Sequence, residues 1–183
     1  RLSAHYGLPY LDTGLLYRAV GLRALGGEDP VEAARTLDAA TLADPRLRLP
    51  EVSQAASRVS ALPAVRDALF AFQRAFARRE GGAVLDGRDI GTVICPEAEA
   101  KLYVTASAEA RAGRRFRELG AAGVAVTYEG TLAEVAARDA RDASRDAAPL
   151  RAAEDAVVID TSDLGIEEAV AAAMAVVRAR LGR

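Results

Sequence analysis

The sequence has 183 residues, of which 51% are apolar and 27% charged, and this length can bury one hydrophobic core and form one globular domain. The net charge of −2 excludes a broad surface for nucleic-acid polymers or anionic membranes, because such surfaces carry a positive excess. The single cysteine excludes an internal disulfide, and no run of about 18 apolar residues predicts a membrane span. We therefore predict a cytoplasmic monomer with a local anion site.

The first predicted elements are a short strand and a series of helices. Residues 8–12 form an apolar strand, and residues 15–24 follow as a helix with one broad apolar face. Pro30 begins a second helix, since proline suits the first helical turn. A connector with two prolines then leads to helices predicted over residues 53–60 and 63–79.

Two further strands and two helices occupy the middle of the chain. Residues 83–85 and 101–105 are predicted strands, and Ser107 is the N-cap of the next helix. Thr131 and Glu134 have the spacing of a capping box, which predicts the start of a helix that runs to about residue 144.

The chain closes with a buried strand and a long helix. Residues 156–160 read as the strand, and apolar positions recur with helical spacing over residues 166–181. Short apolar strands that alternate with helices predict an α/β fold, a parallel sheet with helices on both faces.

Polar residues follow three of the predicted strands. They occupy residues 12–14, 86–89 and 161–163. Ligands of parallel sheets bind beyond the carboxyl ends of the strands, so the first two clusters are candidates for one shared site. Turn formation and helix capping explain such clusters equally well, and we interpret residues 161–163 in that way alone.

Two helical segments concentrate arginines. Arg138, Asp142 and Arg145 lie at i, i+4 and i+7, on one face, whereas Asp139 and Arg141 are predicted to point elsewhere. A solvated face held by weak ion pairs is an equally good reading of this segment alone.

The second segment is the helix after Ser107, where Arg111, Arg114 and Arg115 cluster ahead of a glycine-punctuated stretch over residues 120–130. Its pattern indicates a helical hairpin flap with arginines inside it.

Several chemistries are excluded by the residues present. His5 and Cys95 are the only histidine and cysteine, so a His/Cys zinc site is not available and a catalytic triad would depend on one histidine near the chain start. Paired carboxylates for glycoside cleavage lie beside arginines, which would keep them ionised. What remains is an arginine-rich anion site, suited to a reaction whose nucleophile is already an anion.

Four segments, "LDTGLLYR", "ASRVSALPAVR", "LDGRDIGTVICP" and "RDARDASRDAAPL", together resemble the bacterial cytidylate (CMP/dCMP) kinases of the P-loop nucleoside monophosphate kinase superfamily. The resemblance implies one kinase domain over residues 1–183, with an NMP-binding region at about 27–80 and a lid with flanking helices at about 107–146. It also implies transfer of the γ-phosphoryl group of ATP to CMP or dCMP.

By the same resemblance, one group of residues binds the nucleoside. Thr13 and Arg18 would touch the ribose-phosphate end of the substrate. Ser57, Arg66 and Asp89 would read the cytosine edge. Cytosine offers ring acceptors beside an amino donor, so an arginine donor and an aspartate acceptor form a complementary pair.

A second group would hold the ribose and the reacting phosphates. The resemblance assigns Arg138 and Asp142 to the ribose and Arg88 and Arg145 to the substrate phosphate. Arg114 would lie in the lid over ATP, and it completes the predicted catalytic set with Arg88 and Arg145. The planar guanidinium of arginine can donate two parallel hydrogen bonds to a phosphate. A substrate phosphate that is already ionised needs no general base before it attacks ATP.

The implied cofactors are ATP and Mg²⁺, and the metal ligands are left unassigned. The family's Gly-Lys-Ser/Thr phosphate loop does not occur in these 183 residues, where the lysine at position 101 follows alanine. We expect that loop and its strand to precede Arg1. Two alternatives stay open: a kinase for another small acceptor such as UMP, and a nucleotide-binding module without catalysis.

Overall fold

The computed structural model describes residues 1–143 and 150–182. Its strands are β1 (Tyr10–Asp12), β2 (Val84–Asp86), β3 (Leu102–Thr105) and β4 (Val157–Asp160). Its α-helices are α1 (Leu2–Tyr6), α2 (Thr13–Leu25), α3 (Pro30–Arg35), α4 (Pro50–Val59), α5 (Pro63–Ala77), α6 (Ala108–Ala121), α7 (Tyr128–Ala143) and α8 (Ile166–Leu181). The order of these elements confirms the predicted α/β class.

In the described residues the strands form two parallel pairs. β1 pairs with β2, and this register places Asp12 opposite Asp86. β3 pairs with β4, with Thr105 opposite Asp160. The carboxyl ends of the paired strands therefore coincide, as the parallel arrangement requires, and the polar residues after each strand meet at those ends.

Local capping explains where several elements begin. The Asp29 side chain accepts hydrogen bonds from the N–H groups of Val31 and Glu32 at the start of α3, where Pro30 fills the first turn. Ser107 Oγ accepts from the Ala110 N–H at 3.1 Å, which confirms the predicted N-cap of α6.

The predicted connector before α4 contains two short 3₁₀-helices, Ala39–Ala43 and Pro45–Arg48. The side chains of Asp38 and Asp44 cap them by accepting from the N–H two residues later in the chain. A further short segment, Ile90–Ile94, forms a turn of π-helix after β2.

The predicted capping box at Thr131 and Glu134 is wrong. α7 begins at Tyr128, and Thr127 Oγ1 accepts from the Gly130 N–H at 3.1 Å. Thr131 lies inside the helix, buried, and its hydroxyl donates to the Thr127 carbonyl at 2.8 Å. Both threonines can cap a helix, and the earlier one does so here because the helix starts one turn sooner.

The main hydrophobic core forms around α2. It joins this helix to β1, α3, α4 and α5 through Leu11, Leu16, Val20, Ala33, Ala34, Val59, Val65 and Leu69. At Gly21 the backbones of α2 and α4 come so close that an added Cβ would lie 2.8 Å from the Ala56 nitrogen. The absence of a side chain at Gly21 therefore allows α4 to pack directly on α2.

No helix in the described parts of the chain combines the length and apolar character needed to cross a bilayer.

Candidate active site

The loop after β2 is fixed against the start of α2. Thr13 Oγ1 donates to the Asp86 carbonyl at 2.7 Å, and Thr13 is 3% exposed. A Cβ on Gly87 would overlap the same hydroxyl oxygen, so only glycine fits at this turn. The next two residues, Arg88 and Asp89, leave the strand end from this fixed position.

Asp89 forms a buried ion pair with Arg66 of α5. The side chains are 5% and 12% exposed, respectively. Arg66 also donates to the Ser60 carbonyl at 3.3 Å, and its guanidinium carbon lies 6.0 Å from the centre of the Tyr17 ring. Because removing one partner of a buried pair leaves an uncompensated charge, these contacts hold both groups in one geometry. The structure thus brings together two residues that the sequence assigns to the cytosine edge.

Arg88 turns the other way, toward α7. Its Nε donates to Asp142 Oδ2 at 2.9 Å, and the Asp142 side chain is 2% exposed. The Nε of Arg138 lies 4.0 Å from the same oxygen. Arg138 and Asp142 share one helical face, as their spacing predicts, and Arg88 joins them there. Arg145, the third member of the predicted stripe, lies outside the described residues.

Arg141 lies off the face that carries Arg138 and Asp142, as its spacing predicts, but it contacts a residue that the resemblance assigns to the base. Its Nε donates to the Ser57 hydroxyl at 3.0 Å, across from α7 to α4. Ser57 is 4% exposed. The spacing within α7 cannot reveal this contact, because it depends on α4 lying beside that face. Asp139 does point elsewhere: it forms a bidentate pair with Arg111 of α6, with distances of 2.7 and 2.6 Å.

Arg18 lies in a second basic region. Its Nη1 donates to the Leu47 carbonyl at 2.8 Å. Burial, together with the charge of Arg115 on α6, lowers the pKa of the Arg18 guanidinium. Arg115 itself donates to the Arg48 carbonyl at 3.2 Å, so this region joins α2, the second 3₁₀-helix and α6.

Arg114, on α6, contacts the residue that follows β4. It donates to Thr161 Oγ1 at 3.1 Å and also to the Thr161 carbonyl oxygen. Ser162 makes the turn contacts expected of this segment, with its N–H donating to Asp160 Oδ1 at 2.8 Å. The polar residues after β4 therefore form a turn, and Thr161 also holds Arg114 next to the β3–β4 pair.

Two carboxylates of the predicted polar clusters, to which the resemblance assigns no role, lie at the ends of β1 and β2. Asp12 and Asp86 are opposite each other, and the Tyr10 hydroxyl donates to Asp86 Oδ2 at 3.1 Å. Burial, followed by the negative charge of Asp12, raises the pKa of Asp86. The clusters at residues 12–14 and 86–89 are predicted to share one site, and the pairing of β1 with β2 brings them together.

Lys101 is a second residue that the site prediction left out. It is buried, and its Nζ donates to both oxygens of Asp155 at 2.9 and 2.8 Å and to the Pro96 carbonyl. Its contacts join the segment after β2 to the segment before β4. Lys101 therefore links the loop region after β2 to the β3–β4 pair.

Comparison with known proteins matches this sequence to one family. A family model described as cytidylate kinase matches residues 36–179. A cytidylate kinase from Cereibacter sphaeroides is 60% identical over 98% of this chain and 87% of its own length. Cytidylate kinases from Xanthobacter autotrophicus and Methylobacterium sp. are 59% and 60% identical, each over 98% of this chain and 89% of their own length. The chain therefore belongs to the cytidylate kinase family.

Proposed function

We propose that this chain transfers the γ-phosphoryl group of ATP to CMP or dCMP, producing ADP and CDP or dCDP. One observation carries the proposal. The neighbouring residues Arg88 and Asp89 pair with opposite sides of the site, Asp89 with Arg66 and Arg88 with Asp142. A group suited to a pyrimidine edge therefore lies one residue from a group suited to a phosphate, and membership of the cytidylate kinase family supplies the reaction type.

The proposed base pocket contains Ser57, Arg66 and Asp89. The Asp89 carboxylate would accept from the cytosine amino group, while Arg66 would donate to a ring acceptor. Uracil has a carbonyl oxygen where cytosine has its amino group, so it would set that oxygen against a buried carboxylate. Such a mismatch costs binding, because a buried polar group loses its partner.

The proposed phosphate and ribose contacts surround this pocket. We assign Arg88 and Arg145 to the phosphate of CMP, and Arg138 and Asp142 to the ribose. Arg88 uses the N–H on its Nε for Asp142, and a guanidinium has five N–H donors, so the other end of its fork suits a phosphate.

The remaining predicted site residues extend the proposal toward ATP. Thr13 and Arg18 would lie at the ribose-phosphate end of CMP, on the helix that follows β1. Arg114, on α6, would act from the lid over ATP, within the region of residues 107–146. The NMP-binding region would comprise residues 27–80. Closure of the two regions over both nucleotides would exclude water from the transferred group.

In the reaction, a phosphate oxygen of CMP attacks the γ-phosphorus of ATP. A new P–O bond forms, and the bond from the γ-phosphorus to the oxygen that bridges it to the β-phosphate breaks, with its electrons leaving on ADP. The attacking oxygen is already ionised, so no side chain needs to remove a proton. The role of the arginines is to align the two phosphates and to neutralise the charge that shifts between them.

Bound Mg²⁺ would neutralise the β- and γ-phosphates of ATP. The Asp12 and Asp86 carboxylates fit such an ion, because they supply hard oxygen ligands side by side. The raised pKa of Asp86 agrees with this assignment, since the negative charge of Asp12 contributes to it and a divalent cation would relieve the repulsion between the two carboxylates. We further propose that the enzyme is a monomer and that it acts in the cytoplasm, where its nucleotide substrates are found.

The test is a coupled assay of ADP release by the full-length protein with ATP, Mg²⁺ and CMP, dCMP or UMP. We expect turnover that depends on CMP or dCMP and is much slower with UMP. Turnover that is fastest with UMP would instead identify a kinase for another acceptor. Binding of CMP without ADP release from any acceptor would identify a non-catalytic nucleotide-binding protein.

A further inference from the structure

Two side-chain hydrogen bonds join α4 to α7. Arg141 Nε donates to Ser57 Oγ at 3.0 Å, and Gln54 Nε2 donates to Glu134 Oε1 at 3.2 Å. Ser57 is buried, whereas Arg141 lies mainly on the surface of its helix. The arginine thus reaches from the surface of α7 to a buried hydroxyl group inside the proposed base pocket.

This contact fixes the direction of the Ser57 hydroxyl. A guanidinium has donors and no acceptor, whereas a hydroxyl has one donor and two acceptor lone pairs. Ser57 Oγ must therefore accept from Arg141, and its own O–H is left to donate to another group. Accepting a hydrogen bond from a cation also polarises the hydroxyl and makes it a stronger donor.

The same contact continues to the buried ion pair. Ser60 Oγ donates to the Ser57 carbonyl at 3.1 Å, and Arg66 Nη1 donates to the Ser60 carbonyl at 3.3 Å. Arg66 in turn pairs with Asp89. Arg141 on α7 is therefore linked to Arg66 and Asp89 through the side chain and backbone of Ser57 and through Ser60.

We infer that Arg141 is a positioning residue that makes Ser57 a hydrogen-bond donor toward the pyrimidine. This inference rests on the proposed function of the site. Cytosine presents two adjacent acceptors, O2 and N3, to such a donor. N3 of uracil carries a hydrogen, so its N–H would face the O–H of Ser57, and two donors cannot form a hydrogen bond with each other. Arg141 thereby contributes to the preference for cytosine without touching the base, because it makes the Ser57 hydroxyl a hydrogen-bond donor.

The test compares Arg141→Met, which removes the donor, with Arg141→Lys, which keeps it, in the full-length enzyme. For Arg141→Met we expect KM and Kd for CMP to rise about tenfold, the usual effect of losing a charged hydrogen bond. We expect kcat to change less than about threefold and the CMP/UMP preference to narrow, since the contact acts in binding. Arg141→Lys should stay close to the wild type.

A double-mutant cycle with Ser57→Ala separates positioning from a general structural role. Without the hydroxyl, Arg141→Met should add less than about twofold to the Kd of CMP, because both changes remove one interaction. Arg141→Gln, whose amide can both donate and accept, should fall between lysine and methionine, and it provides a test if Arg141→Met does not fold. Arg178→Met is the matched control, since Arg178 is exposed on α8, outside the proposed NMP-binding and lid regions.

Additive losses in the cycle, or equal losses for lysine and methionine at position 141, would overturn the inference. A fall in kcat that exceeds the rise in KM would assign Arg141 to the transferred phosphoryl group instead. These results are distinct from failure of the proposed function. A wild-type enzyme that does not phosphorylate CMP would refute that function, while calorimetric Kd values for CMP and UMP would still complete the cycle.

Discussion

Asp89 is held in a restricted position among the proposed substrate contacts. Its carboxylate is almost fully buried, and the charge of Arg66 compensates for the loss of water around it. Breaking such a pair by removing one charge is more costly than any exposed substitution nearby. At the scale of single residues, specificity and local stability therefore depend on the same pair.

Asp89→Asn should weaken CMP binding by about 1–3 kcal/mol, the usual cost of a buried polar group with the wrong partner. The amide can donate to the uracil oxygen, so the gap between CMP and UMP should narrow. Isothermal calorimetry with both nucleotides measures this effect. The exposed Asp67, one residue from Arg66, supplies the control Asp67→Asn. Unchanged affinities for both nucleotides in Asp89→Asn would refute the assignment.

Arg88→Ala and Arg145→Ala should lower kcat far more than they raise KM for CMP. Charge on the transferred group develops most in the transition state, and the loss of one donor there costs about 10²–10³ in kcat. Steady-state kinetics with saturating ATP separates the two parameters. Arg178→Ala serves as the control, because Arg178 is exposed on α8, outside the proposed NMP-binding and lid regions. Losses confined to KM would point to simple anchoring of the phosphate.

At the scale of secondary structure, α7 connects the parts of the site. One face carries Arg138 and Asp142, which meet the loop after β2. A second side carries Arg141, which meets α4, and a third carries Asp139, which meets α6. The position of α7 therefore sets the distance between the proposed base pocket and the proposed phosphate contacts, and the Arg111–Asp139 pair helps to fix that position.

The Arg111–Asp139 pair should make stability depend on pH in the acid range. The hydrogen bonds from Arg111 lower the pKa of Asp139 below its ordinary value of 3.8. A lowered pKa in the folded state stabilises the fold above the ordinary value, and this contribution disappears as the pH falls through the folded value. Asp139→Asn should therefore cost about 0.2–1 kcal/mol at pH 7, and its difference from the wild type should shrink as the pH falls below 3.8.

Thermal melting at a series of pH values measures this difference, with the exposed Asp163→Asn as control. Added salt should reduce the effect at pH 7, because an ion pair near the surface is screened. A stability difference that stays constant from pH 7 to pH 3 would show that Asp139 acts through packing rather than charge.

At the scale of the whole molecule, the site joins elements that are distant in the chain. Ser57, Arg66, Asp89 and Asp142 come from α4, α5, the loop after β2 and α7, so none of these elements holds the site alone. A ligand that contacts all of them binds only the folded state, and it must stabilise that state by mass action.

Saturation with CMP should therefore raise the Tm. At one hundred times its Kd a ligand adds about 2.7 kcal/mol, and about 2–4 °C per kcal/mol is typical of a chain near this size. We expect a rise of roughly 5–10 °C with CMP, and a smaller one with the same concentration of UMP. Differential scanning fluorimetry of the full-length protein measures both. Equal shifts with the two nucleotides would argue against the proposed base pocket.

The sequence by itself determined the local structure, because short-range patterns specify it. The apolar period over residues 166–181 predicts α8, and the structure confirms it as Ile166–Leu181. The sequence also predicts two helix starts correctly, at the N-cap Ser107 before α6 and at Pro30 in the first turn of α3. The capping box at Thr131 failed because a second threonine, Thr127, lies one turn earlier and the local pattern cannot rank the two.

The tertiary structure alone decided which side chains meet. The pairing of β1 with β2 brings Asp12 opposite Asp86. The hydroxyl of Thr13 donates to the carbonyl of the same Asp86, which lies 73 residues further along the chain. Helical spacing places Arg138 and Asp142 on one face, but only the position of α4 gives Arg141 its partner. Periodicity constrains residues within a helix or strand, whereas contacts between elements depend on how the whole chain packs.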